Sequence, residues 1–259
     1  MEILIERDAE AVARSAAGVV IDQLGANPRT VLGLATGSSP LGLYQELAAA
    51  VRDGRTSLAG CRGFLLDEYV GLPAGHPERY RTVIQRELVD QVDLDPDRVQ
   101  GPDGLADDLD EAAARYEAAI REAGGVDLQV LGVGANGHIA FNEPGSSLAS
   151  RTRPAVLTQR TREANARFFE DEIDAVPRRC LTQGIGTILE ARHLLMVVAG
   201  EHKAEAVAQF VEGPVSARCP ASALQLHPRV TVCLDEAAAS RLELGDYYRE
   251  VRAAGPTAD

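Results

Sequence analysis

The stretch "DLQVLGVGANGHIAFNEPGSS", residues 127–147, decides the fold. Its first half is an apolar run of strand length that ends on Gly132-x-Gly134-x-x-Gly137. A dinucleotide fingerprint runs from such glycines straight into a helix, with an acidic residue about 20 positions later. Here Pro144, Gly145 and paired serines follow, and they do not continue a helix. The stretch is therefore read as a strand and a crevice loop, in which the glycines make a tight turn that lets the backbone approach a ligand closely. Asn136, His138 and Glu143 lie within that loop. A carboxylate beside an imidazole fixes its tautomer and stabilises its charged form, the usual means of moving protons near neutral pH.

Outward from this strand, apolar runs recur at 30–35, 63–67, 193–200 and 229–235, each the length of a buried strand. Between them, residues 8–24, 41–51, 107–123 and 203–211 repeat apolar positions at helical spacing. The alternation predicts an α/β fold: a Rossmann-like open, mainly parallel sheet with helices on both faces. No repeat, low-complexity tract or long linker divides the chain, so residues 1–259 are read as one domain.

The formal net charge of −13 argues against nucleic acid or an anionic membrane as a bulk partner, since both need a clustered basic surface. A small anionic substrate is compatible, because a few converging cations suffice for a phosphate. Cys61, Cys180, Cys219 and Cys233 are scattered, which fits free thiols in a reducing cytoplasm. The acidic N-terminus is unlike a signal peptide, and no apolar run approaches the roughly 18 residues of a membrane span.

Sheets of this kind bind ligands beyond the carboxyl ends of their strands, so four loops matter. After 35 come Thr36, Gly37, Ser38 and Ser39, then Pro40 at the start of a helix: backbone N–H groups and two hydroxyls suited to an anion. Asp67 and Glu68 end the run at 63–67, where a carboxylate could serve as a general base, accept from a sugar hydroxyl or cap the loop. The third loop is that of His138. A metal there would need further ligands at recognisable spacing, which the scattered cysteines and histidines do not offer. The fourth puts Lys203 at a helix start, and "TREANARFF" upstream adds Arg162 and Arg167 as candidate partners in a phosphate clamp.

In order, "LGLATGSSP", "LDEYVGLP", "GHIAFNEPGSSLASRTR", "TREANARFF", "LTQGIGTIL" and "ASALQLHP" give the chain a resemblance, over nearly its whole length, to the glucosamine-6-phosphate deaminase family. The resemblance implies a Rossmann-like fold without a bound dinucleotide, and conversion of glucosamine 6-phosphate and water to fructose 6-phosphate and ammonia. It implies that His138 opens the sugar ring with Glu143 and Asn136 assisting, and that Asp67 removes the C2 proton. Gly37, Ser38, Ser39, Arg167 and Lys203 match the family's phosphate-binding positions, and no metal or organic cofactor is implied. Many members carry Asp where this chain has Asn136; an amide can hydrogen-bond the imidazole but does not stabilise its charge as a carboxylate does. Allosterically activated hexameric members carry a basic residue where this chain has Ala155, which argues against an N-acetylglucosamine 6-phosphate effector site; a homo-oligomer stays open. The alternatives are a 6-phosphogluconolactonase, which typically has "SLFPG" where this chain has "AFNEPG", making Glu143 the discriminating residue, and a sugar-phosphate-sensing module, which needs a DNA-binding extension.

Overall fold

The computed structural model describes residues 1–255, and residues 256–259 of the expected domain lie outside it. In chain order the strands are β1 (Glu2–Glu6), β2 (Val31–Leu34), β3 (Arg62–Leu65), β4 (Asp67–Tyr69), β5 (Val99–Gln100), β6 (Leu128–Leu131), β7 (Arg153–Val156), β8 (Arg179–Thr182), β9 (Leu194–Val198) and β10 (Val230–Asp235). The α-helices are α1 (Ala9–Ala26), α2 (Ser38–Arg52), α3 (Tyr80–Glu87), α4 (Leu109–Glu122), α5 (Gln159–Asn165), α6 (Ile185–Ile188), α7 (Ala204–Val211) and α8 (Gly245–Ala254).

Seven strands form a parallel sheet in the order β1-β10-β9-β6-β2-β3-β5. Every residue of β6, β9 and β10 is buried, so both faces of the sheet centre are covered, and their unbroken apolar runs follow from that. Helix α1 starts where the Asp8 carboxylate accepts from the backbone N–H of Ala11, and it buries Val12, Ala16, Val20 and Leu24 along one stripe. Helix α4 repeats the device, Asp108 accepting from the N–H of Glu111.

Two expectations change in detail. The run at 63–67 is two strands: β3 ends at Leu65, Leu66 interrupts it, and Asp67 opens β4 in a second sheet. That sheet, β4-β8-β7, is antiparallel, with Asp67 opposite Thr182. It is fastened to the main body by the buried Glu117 of α4, whose carboxylate accepts from the Thr152 N–H and the Thr152 and Thr187 hydroxyls and pairs with Arg151. The helix expected at 41–51 begins earlier, at Ser38, with Pro40 inside its first turn where no intrahelical N–H is needed.

The chain leaves β2 towards β3 and β5 but leaves β6 towards β9 and β10. The loops after β2 and β6 therefore diverge, and a crevice opens between them at the carboxyl ends of the strands.

Candidate active site

A cavity of about 530 Å³ occupies that crevice. Gly37, Ser38 and Ser39 line it beyond β2, Asp67 beyond β3, Gly134 and His138 beyond β6, and Lys203 beyond β9, with Arg167 entering from the segment after α5.

Asp67 is buried, at 6% exposure. Burial first, and the neighbouring Glu68 charge second, push its carboxyl well above the usual range, with no hydrogen bond to offset them. Glu68 points elsewhere. Its carboxylate accepts from the N–H groups of Tyr69, Tyr80 and Arg81, which caps α3 and leaves Asp67 as the only carboxylate of the pair facing the cavity.

His138 sits on a loop pinned to the small sheet. The Phe141 N–H donates to Thr182 Oγ1, and the Asn142 amide donates to the carbonyls of Ile139 and Gln183. Just before them Ala140 takes φ 49°, a left-handed conformation unusual for a residue with a Cβ. Gly134 is required here, because a Cβ at that position would fall 2.2 Å from His138 Cε1. The imidazole Nδ1 is 3.7 Å from Glu143 Oε2 and has no hydrogen-bond partner among the described residues. Burial lowers the His138 pKa; Glu143 opposes this, the charges of Lys203 and Arg160 add to it, and the net direction is down, which favours the neutral ring. Burial works to raise the Glu143 pKa, but hydrogen bonds from Thr161, Asn136 and Thr158 and the adjacent imidazole outweigh it, and the net direction is down.

Asn136 corrects one expectation. Its amide does not reach the imidazole: Nδ2 donates to Glu143 Oε2 at 2.9 Å, and Oδ1 accepts from the His138 backbone N–H at 3.2 Å. It orients the loop and the acid rather than the ring.

In the same cavity, α2 begins after Gly37, whose φ of 96° favours glycine, and among the described residues no side chain caps its first N–H groups. Lys203 follows the turn at Gly200, whose N–H donates to both oxygens of Asp235 at 3.0 Å. Burial, then repulsion from Arg167, lowers the Lys203 pKa, and no acid opposes them. The guanidinium of Arg167 lies 4.7 Å from the centre of the Phe168 ring. Arg162 is not part of this site: it is buried, donates to the carbonyls of Val176 and Ile173, and pairs with Asp174 at 3.6 Å.

Sequence reasoning missed Thr158 and Thr161, which hold Glu143, and Tyr80, which lines the cavity with its ring stacked 5.7 Å from Phe141. Only the N-cap preference of Thr158 before a helical stretch signals the first; neither of the others carries a local pattern. Among the described residues, no cluster of His, Cys, Asp or Glu is placed to hold a metal ion, and no helix is long and apolar enough to cross a membrane.

The family model described as glucosamine-6-phosphate isomerases/6-phosphogluconolactonase matches residues 6–233. A glucosamine-6-phosphate deaminase of Mycolicibacterium smegmatis is 59% identical over 99% of this chain and 98% of its own length. One of Beutenbergia cavernae is 58% identical with the same coverage. Among solved structures, a monomeric glucosamine-6-phosphate deaminase superposes with a TM-score of 0.90 at 42% identity, covering 93% of this chain and 99% of that one. The 6-phosphogluconolactonase of Trypanosoma cruzi superposes with a TM-score of 0.73 at 20% identity, a likeness of fold alone, over 93% and 97% of the two chains. The chain thus belongs to the glucosamine-6-phosphate isomerase/6-phosphogluconolactonase family and, on its full-length identity, to the deaminases within it.

Proposed function

We infer that the chain converts glucosamine 6-phosphate and water to fructose 6-phosphate and ammonia, an aldose–ketose isomerisation with loss of the amine. The observation that carries this reading is one cavity lined by the buried Asp67 carboxylate, the His138 imidazole, the cations Arg167 and Lys203 and the first residues of α2. The phosphate is bound by the first N–H groups of α2, the Ser38 and Ser39 hydroxyls, Arg167 and Lys203. His138 accepts the proton of the C1 hydroxyl and returns it to the ring oxygen as the C1–O5 bond breaks, giving the open-chain aldehyde. Asp67 then takes the C2 proton as the substrate's own ammonium gives a proton to O1, which forms the enolamine, and Asp67 returns its proton at C1. The resulting C2 iminium adds water, the C2–N bond breaks, and ammonia leaves the ketone. Each step is a proton transfer or water addition within reach of a positioned side chain, so the chemistry requires no cofactor.

The raised pKa of Asp67 serves this role, since a carboxylate in an apolar wall is a stronger base than one in water. The four buried free cysteines suit a reducing compartment, and we place the chain in the cytoplasm as one domain over residues 1–259. Incubation with glucosamine 6-phosphate should release ammonia and fructose 6-phosphate in equal amounts, while 6-phosphogluconolactone should hydrolyse no faster than its background. Asp67→Asn should retain substrate binding and lose about two to four orders of magnitude in turnover. Near-parent turnover in that variant removes Asp67 from the chemistry.

A further inference from the structure

The Glu143 carboxylate is held from two sides. Oε2 accepts from the Asn136 amide at 2.9 Å, while Oε1 accepts from the Thr158 hydroxyl at 3.0 Å and from the Thr161 hydroxyl. Both threonines belong to the start of α5, where Thr158 is the N-cap and its hydroxyl accepts from the Thr161 N–H at 3.2 Å. Thr161 is 4% exposed, so water has little access to take the place of its hydroxyl. Held this way, Oε2 stays 3.7 Å from His138 Nδ1, beyond hydrogen-bonding distance, and Nδ1 has no partner among the described residues. Further along the same segment, Ala164, Asn165 and Arg167 line the cavity.

We propose that Thr161 is a positioning residue for ring opening: with Thr158 it restrains the Glu143 carboxylate short of the imidazole, so that the docking of α5 sets the proton affinity of His138. The proposal rests on the reading of His138 as the proton carrier. An unrestrained carboxylate turns towards Nδ1 and, with fewer donors sharing its charge, favours the imidazolium. The imidazolium cannot accept the proton of the sugar hydroxyl. The segment that presents Arg167 to the phosphate thereby also keeps the ring in its accepting form. The other charges acting on His138 are those of Lys203 after β9 and Arg160 on α5, Asp67 lines the same cavity, and none of these hydrogen-bonds Thr161 Oγ1.

The test is an NMR titration of the His138 Cε1–H signal, assigned with a His138→Gln variant, in Thr161→Val, Thr161→Ser and Thr158→Val proteins without substrate. Thr161→Val should raise the His138 pKa by about one pH unit, and Thr161→Ser should restore it. Thr158→Val, at an exposed position where the lost N-cap costs about 1 kcal/mol, should raise it by less and keeps the test intact if Thr161→Val does not fold. The acid limb of kcat/KM should move to higher pH by the same amount in each. A His138 titration unmoved in whichever valine variants fold, or not restored by serine, overturns the proposal. Failure of the parent to release ammonia from glucosamine 6-phosphate would instead overturn the deaminase reading and leave the titration result standing.

Discussion

Asn136 ties the His138 loop to Glu143, and its contacts say what an acid there would do. Asn136→Asp replaces the amide donor that now lies 2.9 Å from Glu143 Oε2 with a second carboxylate. The two acids repel, and one of them keeps its proton to higher pH. Above that dissociation two negative charges flank His138 and favour its imidazolium, so the acid limb of kcat/KM should move to higher pH and broaden. An unmoved limb means that residue 136 does not tune the ring or that another step limits the rate. The phosphate end is simpler, because no carboxylate offsets Lys203. Lys203→Ala or Arg167→Ala should weaken binding of glucosamine 6-phosphate by about 1.5 to 3 kcal/mol each, the worth of a charge-assisted hydrogen bond. Binding of unphosphorylated glucosamine should not change, and an equal loss for both sugars would place the cations elsewhere than on the phosphate.

Among the elements, β4 and α3 show how a structural acid supports a chemical one. Glu68, 1% exposed, supplies the acceptor for the N–H groups of Tyr80 and Arg81 and lies 3.9 Å from the Arg79 guanidinium. Glu68→Ala should cost about 1 to 3 kcal/mol of stability by orphaning buried donors, read as a lower denaturant midpoint at unchanged slope. A parent-like midpoint means that water can cap α3. The same pair marks the limit of what the sequence discloses. The main sheet was legible because β2, β6, β9 and β10 are apolar runs whose burial needs no partner to be named, and the crevice loops followed from the rule for parallel sheets. Which of Asp67 and Glu68 faces the cavity was not legible in residue pattern, since alternation along β4 separates them but only pairing with β8 fixes the face. The strands β7 and β8 escaped notice because each is a four-residue segment that starts on an arginine and carries no long apolar run. Thr161 escaped because its partner, Glu143, lies in a different element.

For the whole molecule, the site carries a cost that appears in the dependence of stability on pH. Asp67 is raised in the folded chain above its ordinary value of 3.8, so between that value and its folded pKa the native state binds more protons than the unfolded state. Its contribution to stability is present at low pH and is lost as pH rises through that window, which leaves a buried carboxylate without a partner at neutral pH. His193 acts in the opposite sense. Burial, then the charges of Arg229 and His227, lowers its pKa from 6.5 to about 4, so stability falls as pH drops through that interval. Both slopes are present in the parent, and a single substitution separates them. Asp67→Asn keeps the shape of the side chain and removes its ionisation, so the inactive variant should be more stable than the parent at pH 7, the trade expected where a strong base is kept in an apolar wall. The excess should shrink as pH is lowered towards 4, where Asp67 of the unfolded chain is itself partly protonated, while the fall due to His193 remains in both proteins. Denaturant midpoints of parent and variant between pH 4 and 8 provide the comparison, and a variant no more stable than the parent at pH 7 would mean that Asp67 carries no raised pKa and is not held as a strong base.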